Sequence, residues 1–303
     1  MRIVHINRDE CTGGASRSAY RLHQGLMDLG HASQMYVYNK SSDNHRTLRF
    51  QPPQDRLSFH LRNYRRWRLE HAMHRYDNTS SRDRTFFSDD RTPFFRDVSR
   101  QIPDTDVINL HWVSEFLDYG AFFEWLPEEL PVIWTLHDMS PFTGGCCYDL
   151  DCGKFGQNCG ACPQLGSLDQ SDFTHAVWKR KAKYYGSLTP ERFHVVTPSS
   201  WLRDELKRSS LLSRFPNSVI PYGLDLGVFR PRERCMARDI LGIPLDARVL
   251  LFVSHFHAAQ GFPYSCQGLG RNATRQYFPL ITWNRTFTGG SALLTPSHSL
   301  CES

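Results

Sequence analysis

No uninterrupted apolar run in this 303-residue chain approaches the ~20 residues that a membrane-spanning helix needs. Nor is there the apolar core of a signal peptide at the start, because Met1-Arg2 leads directly into the strand-like run Ile3-Val4-His5-Ile6. A cytoplasmic protein is therefore expected. A large excess of one charge is also missing: 36 Lys+Arg against 31 Asp+Glu leave a net charge of +5. That mild basicity suits an anionic substrate or a phospholipid surface and does not single out nucleic acid. The last stretch lacks the most. From Phe256 to Ser303 there is no lysine, only Glu302 is acidic, and neither helical nor strand periodicity persists. This tail is expected to have no stable core and to be cut early by protease.

The remaining sequence reads as alternating strands and helices, which implies an α/β fold built on a parallel sheet. Strands are expected at Arg2 to Ile6, Gln34 to Tyr38, Asp106 to Trp112, Pro131 to Leu136, Phe193 to Thr197 and Ser218 to Pro221. The first ends in a loop with Gly13 and Gly14, followed by a helix from about Ser16 to Gly30. Ala19, Leu22, Leu26 and Leu29 form its apolar stripe. Strand, glycine loop and helix can aim backbone amides at an anion, although the third glycine of the dinucleotide fingerprint is missing. Arg56 to Tyr76 reads as a basic helix with Leu57, Leu61, Tyr64 and Met73 partly in helical register. Either an ordinary solvated helix or docking to an anionic membrane surface fits it. No RNA-recognition motif accompanies it. Further helices are expected over Trp201 to Leu212 and Glu233 to Leu241, and a strand over Arg248 to Ser254.

Two neighbouring strands deliver polar residues at their carboxyl ends, where open α/β sheets place ligand contacts. These are His111 with Trp112, and His137 with Asp138. After the second strand comes a Gly144-Gly145 turn, then Cys146, Cys147, Cys152, Cys159 and Cys162, the last two a C-x-x-C pair. Four thiolates from Cys146, Cys152, Cys159 and Cys162 could close a structural zinc site. Disulfides compete but need an oxidising compartment, and a metal-free loop is the third reading. Cys147 is the spare thiol, adjacent to the first ligand and able to substitute for it.

The segment HDMSPFTGGCCYDLDCGKFGQNCGACPQLGS resembles the corresponding stretch of bacterial family 4 glycosyltransferases of the colanic-acid and exopolysaccharide type. GGASRSAYRLHQGL resembles their first loop and helix, and PYGLDLGVFRP the hinge that ends their first domain. Ser140 replaces the usual tryptophan, Cys147 a frequent histidine, Tyr222 the usual asparagine and Leu224 the usual valine. The likeness runs from about Met1 to Pro231, with a faint echo in QGFPY.

The resemblance implies a GT-B fold with a Rossmann-like acceptor domain over 1–228. A hinge and the start of a donor domain over 229–255 would follow, then a truncated or out-of-frame tail over 256–303. It implies a retaining hexosyltransferase with no catalytic metal, moving sugar from a nucleotide-sugar donor to a saccharide or lipid-linked acceptor in cell-surface polysaccharide assembly. Peripheral association with the inner membrane face would fit that role. His137 is the expected catalytic group, and Gly13, Gly14, His111 and Asp138 the expected substrate contacts. The family's nucleotide-gripping basic pair and paired glutamates are not found, so the 303-residue polypeptide is expected to be inactive alone. A non-enzymatic, zinc-stabilised binding module is the alternative.

Overall fold

The computed structural model describes residues 1–74, 76, 87–249 and 277–278. Its framework is one sheet of seven parallel strands: β1 (Arg2–Asp9), β2 (Ala32–Asn39), β3 (Thr47–Arg49), β4 (Val107–Leu110), β5 (Val132–Thr135), β6 (Phe193–Thr197) and β7 (Asn217–Val219). They lie in the order β3-β2-β1-β4-β5-β6-β7. The order reverses direction between β1 and β4, which are hydrogen-bonded neighbours with Ile3 opposite Val107 and Ile6 opposite Leu110. At such a switch point the two connections diverge and leave an opening at the strands' carboxyl ends.

Among the described residues six α-helices accompany the strands: α1 (Gly14–Asp28), α2 (Arg56–His74), α3 (Tyr119–Trp125), α4 (Phe173–Gly186), α5 (Ser200–Arg208) and α6 (Arg234–Ile240). The expected α/β architecture with a parallel sheet is the one observed. Central strands are buried on both faces, so they read as continuous apolar runs instead of alternating ones. All four residues of β4 are buried. Trp134 of β5 is fully buried and meets Tyr119, Phe123, Tyr185 and Phe193 edge-on or tilted, at ring separations of 5.2–6.4 Å. That aromatic cluster ties α3 and α4 to the middle of the sheet.

Two expected stripes are corrected. On α1 the buried face is Ser16, Ala19, Tyr20 and His23, while Leu29 is 75% exposed. The polar members are partnered at one atom each: Ser16 Oγ accepts from Asn7 Nδ2 at 2.9 Å, and His23 Nδ1 meets Ser33 Oγ at 2.8 Å, while His23 Nε2 is buried without a partner among the described residues. On α2 the expected core residues Leu57, Leu61 and Tyr64 are exposed, and only Arg62 is buried. Near its end Ala72 and Met73 pack on the cluster of Cys162, Leu165, Phe173 and Val177.

The chain divides into two compact units after Leu224. In the second, Glu233 caps α6 by accepting from the amides of Cys235 and Met236, and β8 (Arg248–Val249) pairs in parallel with β9 (Tyr277–Phe278). Most of the strand expected to continue to Ser254, and nearly all of the tail expected to lack a core, lie outside the described residues.

Candidate active site at the carboxyl edge of the sheet

Asn7 ties the switch point together. Fully buried at the end of β1, it donates to Ser16 Oγ in the first turn of α1 and accepts from the Trp112 amide at 2.9 Å. One side chain thus links β1, α1 and the exit of β4. Trp112 passes the connection on, its indole N–H donating to Asp138 Oδ2 at 3.1 Å beyond β5. Arg8 lies over the Trp112 ring, 5.6 Å from its centroid, and pairs with Glu115 at 2.9 Å.

Gly13 and Gly14 form the start of α1. Gly13 has φ +88° and supplies no side-chain cap, and the first turn of α1 holds no acidic residue. The first amides of a helix have no partner within it, and a carboxylate cap would compete with an incoming anion for them. A Cβ built on either glycine meets no heavy atom within 4 Å. The approach to the helix terminus is therefore open. The loop before it is held by Glu10, a buried residue accepting from the Ser41 and Ser42 amides at 2.7 and 2.8 Å. Burial pushes the Glu10 carboxyl upward, but the polar contacts around it, with hydrogen bonds from Ser42 and Ser41, outweigh it and hold its pKa below the usual value.

The two expected histidines are joined, and a third completes a row. His5 Nδ1 lies 3.0 Å from His111 Nε2, His111 Nδ1 lies 3.2 Å from His137 Nε2, and His137 Nδ1 lies 2.8 Å from the Tyr222 hydroxyl. Tyr222 also stacks on His137 at 5.5 Å between ring centres. Each contact between neutral imidazoles needs one N–H and one lone pair, so all the bonds of the row point in one direction. His5 Nε2 is buried without a partner among the described residues. Burial drives all three pKa values down: His5 to about 3, His137 to about 4, and His111 well below the ordinary value, with His5 and His137 adding repulsion at His111. His137 is thus neutral at physiological pH. It can make a directional hydrogen bond to a sugar hydroxyl but brings no positive charge.

Asp138, the other expected contact on this strand, has both carboxylate oxygens engaged. Oδ2 accepts from Trp112, and Oδ1 accepts from the Ser140 amide at 2.8 Å and the Ser140 hydroxyl at 2.6 Å. It braces the turn after β5. That turn is fastened from below by Lys181 of α4, a residue the sequence reading did not single out. Fully buried, Lys181 donates to the carbonyls of Ser140 and Thr143 at 2.6 and 3.2 Å and lies over the Tyr119 ring at 5.6 Å. The double glycine has a packing cause as well. A Cβ on Gly144 would stand 2.5 Å from the Thr174 carbonyl, and one on Gly145 2.6 Å from the Ser88 carbonyl.

Cys146, Cys152, Cys159 and Cys162 all border one small cavity of about 20 Å³. Cys147 does not line it and interacts instead with Asp138, so the spare thiol is no stand-in for Cys146. A roomier cavity, about 310 Å³ and lined by Arg65, Arg68, Arg91 and Glu124, lies beside α2 and α3 and includes none of these site residues.

A Nocardioides D-inositol 3-phosphate glycosyltransferase is 62% identical over 34 residues, 11% of this chain and 7% of that protein. A solved sucrose-phosphate synthase from Thermosynechococcus elongatus aligns with a TM-score of 0.46 at 14% identity, over 86% of this chain and 57% of its own. The chain thus spans under two thirds of either. The sequence model of Glycosyltransferase Family 4 matches residues 12–228, from the glycine loop through Tyr222, and the chain belongs to that family.

Proposed function

We propose that the carboxyl edge of β1, β4 and β5 is the acceptor-side wall of a glycosyltransferase site. Its reaction is the transfer of a sugar from a nucleotide-sugar donor to a saccharide or lipid-linked acceptor, in the assembly of a cell-surface polysaccharide. The observation that carries this reading is the convergence at one switch point of an open helix terminus at Gly13-Gly14 and a neutral His137. Transfer must stabilise a departing diphosphate. Uncapped amides at the start of α1 suit that charge, and they need no reorganisation as it develops. His137 is assigned to a hydroxyl of the reacting sugar and His111 to the positioning of His137. Asp138 supports the wall through Trp112 and Ser140.

Because Tyr222 occupies His137 Nδ1 and His111 occupies Nε2, a sugar hydroxyl reaches His137 by displacing the Tyr222 hydroxyl. Retention of anomeric configuration follows from same-face attack and asks for no side-chain nucleophile. Peripheral membrane docking is assigned to α2. Its exposed Leu57, Phe59 and Trp67 lie among Arg65, Arg66 and Arg68, a basic and apolar mixture that suits anionic headgroups. Among the described residues no helix is long and apolar enough to cross a membrane.

The test is a transfer assay over a panel of uridine, guanosine and thymidine diphosphate sugars with membrane-extracted acceptors. It compares the 303-residue polypeptide with one extended by a complete family 4 donor domain. The extended protein is expected to transfer. In the extended protein His137→Ala should lower turnover more than His111→Ala. An extended protein that folds yet transfers from no donor would favour a non-enzymatic binding module.

A further inference from the structure

We propose that Cys146, Cys152, Cys159 and Cys162 bind one zinc ion in an all-sulfur tetrahedral site, a structural metal that staples the loop after β5 to the start of α4. Four sulfurs border a cavity of about 20 Å³, which is the scale of a single small occupant. All four are free thiols. Among the described residues no three such side chains are already set in coordination geometry. Closing the shell takes rotation of the cysteine side chains into the cavity they share, to Zn–S distances of about 2.3 Å.

The backbone around these sulfurs is shaped for thiolates. Cys159 has φ 29°, Gly160 φ 134° and Ala161 φ 42°, so the C-x-x-C curls through three successive left-handed residues. A Cβ on Gly160 would stand 2.3 Å from the Gln170 carbonyl, so the curl also requires glycine. Amides of Gln164 and Leu165 are aimed at the Cys162 sulfur, and the Gly144 amide at the Cys159 sulfur. A neutral thiol is a weak acceptor, whereas a thiolate makes such bonds charge-assisted and orients the ligand toward its metal. Left-handed backbone at two non-glycine residues is strained and persists only where the surrounding structure holds it.

Charge completes the case. Binding runs as Zn²⁺ plus four Cys–SH giving Zn(S–Cys)₄²⁻ plus four protons, leaving two negative charges in the loop. Two ammonium groups stand ready. Lys154 lines the cavity and donates to the carbonyls of Gly160 and Ala161 at 3.1 and 2.6 Å, and Lys181 is buried beneath the same loop. The consequence for the fold is local. Thr143 Oγ1 donates to the Cys146 carbonyl at 2.7 Å, and the Cys162 amide donates to Asp172, the cap of α4, at 2.8 Å. A metal joining Cys146 to Cys162 would hold the turn carrying Asp138 against α4. This metal is independent of glycosyl transfer and stands or falls separately from it.

The experiment is metal analysis of the full 303-residue chain, purified under reducing conditions without chelator, with cobalt(II) substitution as the spectroscopic readout. About one zinc per chain is expected, and cobalt should give the d–d bands of a tetrahedral site with thiolate charge transfer. Cys159→Ser with Cys162→Ser should abolish both, while Cys147→Ser should keep both. Should the double variant fail to fold, a chelator added to the parent chain supplies the second measurement. Four thiols should become reactive to a disulfide reagent together as zinc leaves, with early proteolysis inside 146–162. Protein that carries no zinc and takes up no cobalt would overturn the proposal. So would cobalt binding that survives the double substitution.

Discussion

Lowering the pH from 6 to 5 should weaken the fold steeply, because three buried histidines are neutral in it. His5, His23 and His111 are at most 3% exposed. Burial lowers His5 to about 3 and His23 to about 4, and places His111 well below the ordinary value. In the unfolded chain each regains a pKa near 6.5. Above that pH both states are neutral and the groups are silent. Below it the unfolded chain binds protons that the folded chain refuses, so stability falls as pH falls, until the folded pKa values are reached.

Each such group contributes about 1.4 kcal/mol per pH unit, and with His137, which burial also lowers to about 4, the four together contribute about 5 kcal/mol. Asp90 works the other way. Burial raises it to about 6, against the pull of Arg180, so between about pH 6 and pH 4 the folded chain gains a proton there. That offsets about 1 kcal/mol per unit, leaving a net loss of roughly 4 kcal/mol per unit. Against a usual domain stability of about 5–15 kcal/mol this is a large fraction. Urea unfolding followed by tryptophan fluorescence at pH 7, 6 and 5 would measure it. His23→Asn, which can keep the bond from its δ position to Ser33, should reduce the slope by about 1.4 kcal/mol per unit. Stability that is flat or rising from pH 6 to pH 5 would refute the reasoning.

Lys181→Met should cost roughly 1–3 kcal/mol in chemical denaturation, because two buried carbonyls lose their donor. A variant as stable as the parent would contradict the role given to Lys181. Gly14→Ala should leave stability unchanged or raise it by up to about 1 kcal/mol, since its Cβ meets open space. The same methyl group narrows the approach to the first amides of α1, so transfer by the donor-extended protein should fall.

Strands were the legible part of the sequence. β4, β5 and β6 are buried on both faces, and their apolar runs have few other readings. Helix faces were harder. The α1 stripe was misplaced because its buried positions include Ser16 and His23, whose polarity is cancelled by Asn7 and Ser33, partners distant in sequence. α4 escaped notice altogether. Its buried positions are Phe173, Thr174, Val177, Lys181 and Tyr185, a regular stripe interrupted by a lysine that looks like surface until its two carbonyl partners are seen. Short β3 and α3 carry too few residues for periodicity to show.

At the site, His111 and His137 were visible as polar residues ending apolar strands, and Gly13-Gly14 as a turn before a helix. His5 was not, because it sits inside β1 and only the parallel register with β4 brings it to His111. In the sequence Tyr222 is only a departure from a familiar string. Its contact with His137 depends on a chain path that no local pattern reports.

The most direct test of the central claim is the position of a nucleotide sugar bound to the donor-extended protein. The account predicts a sugar hydroxyl about 3 Å from His137 Nδ1, with the Tyr222 hydroxyl displaced and phosphate oxygens facing the amides at the start of α1. A nucleotide sugar bound with Tyr222 still on His137, and with no contact from Gly13 or Gly14, would contradict it.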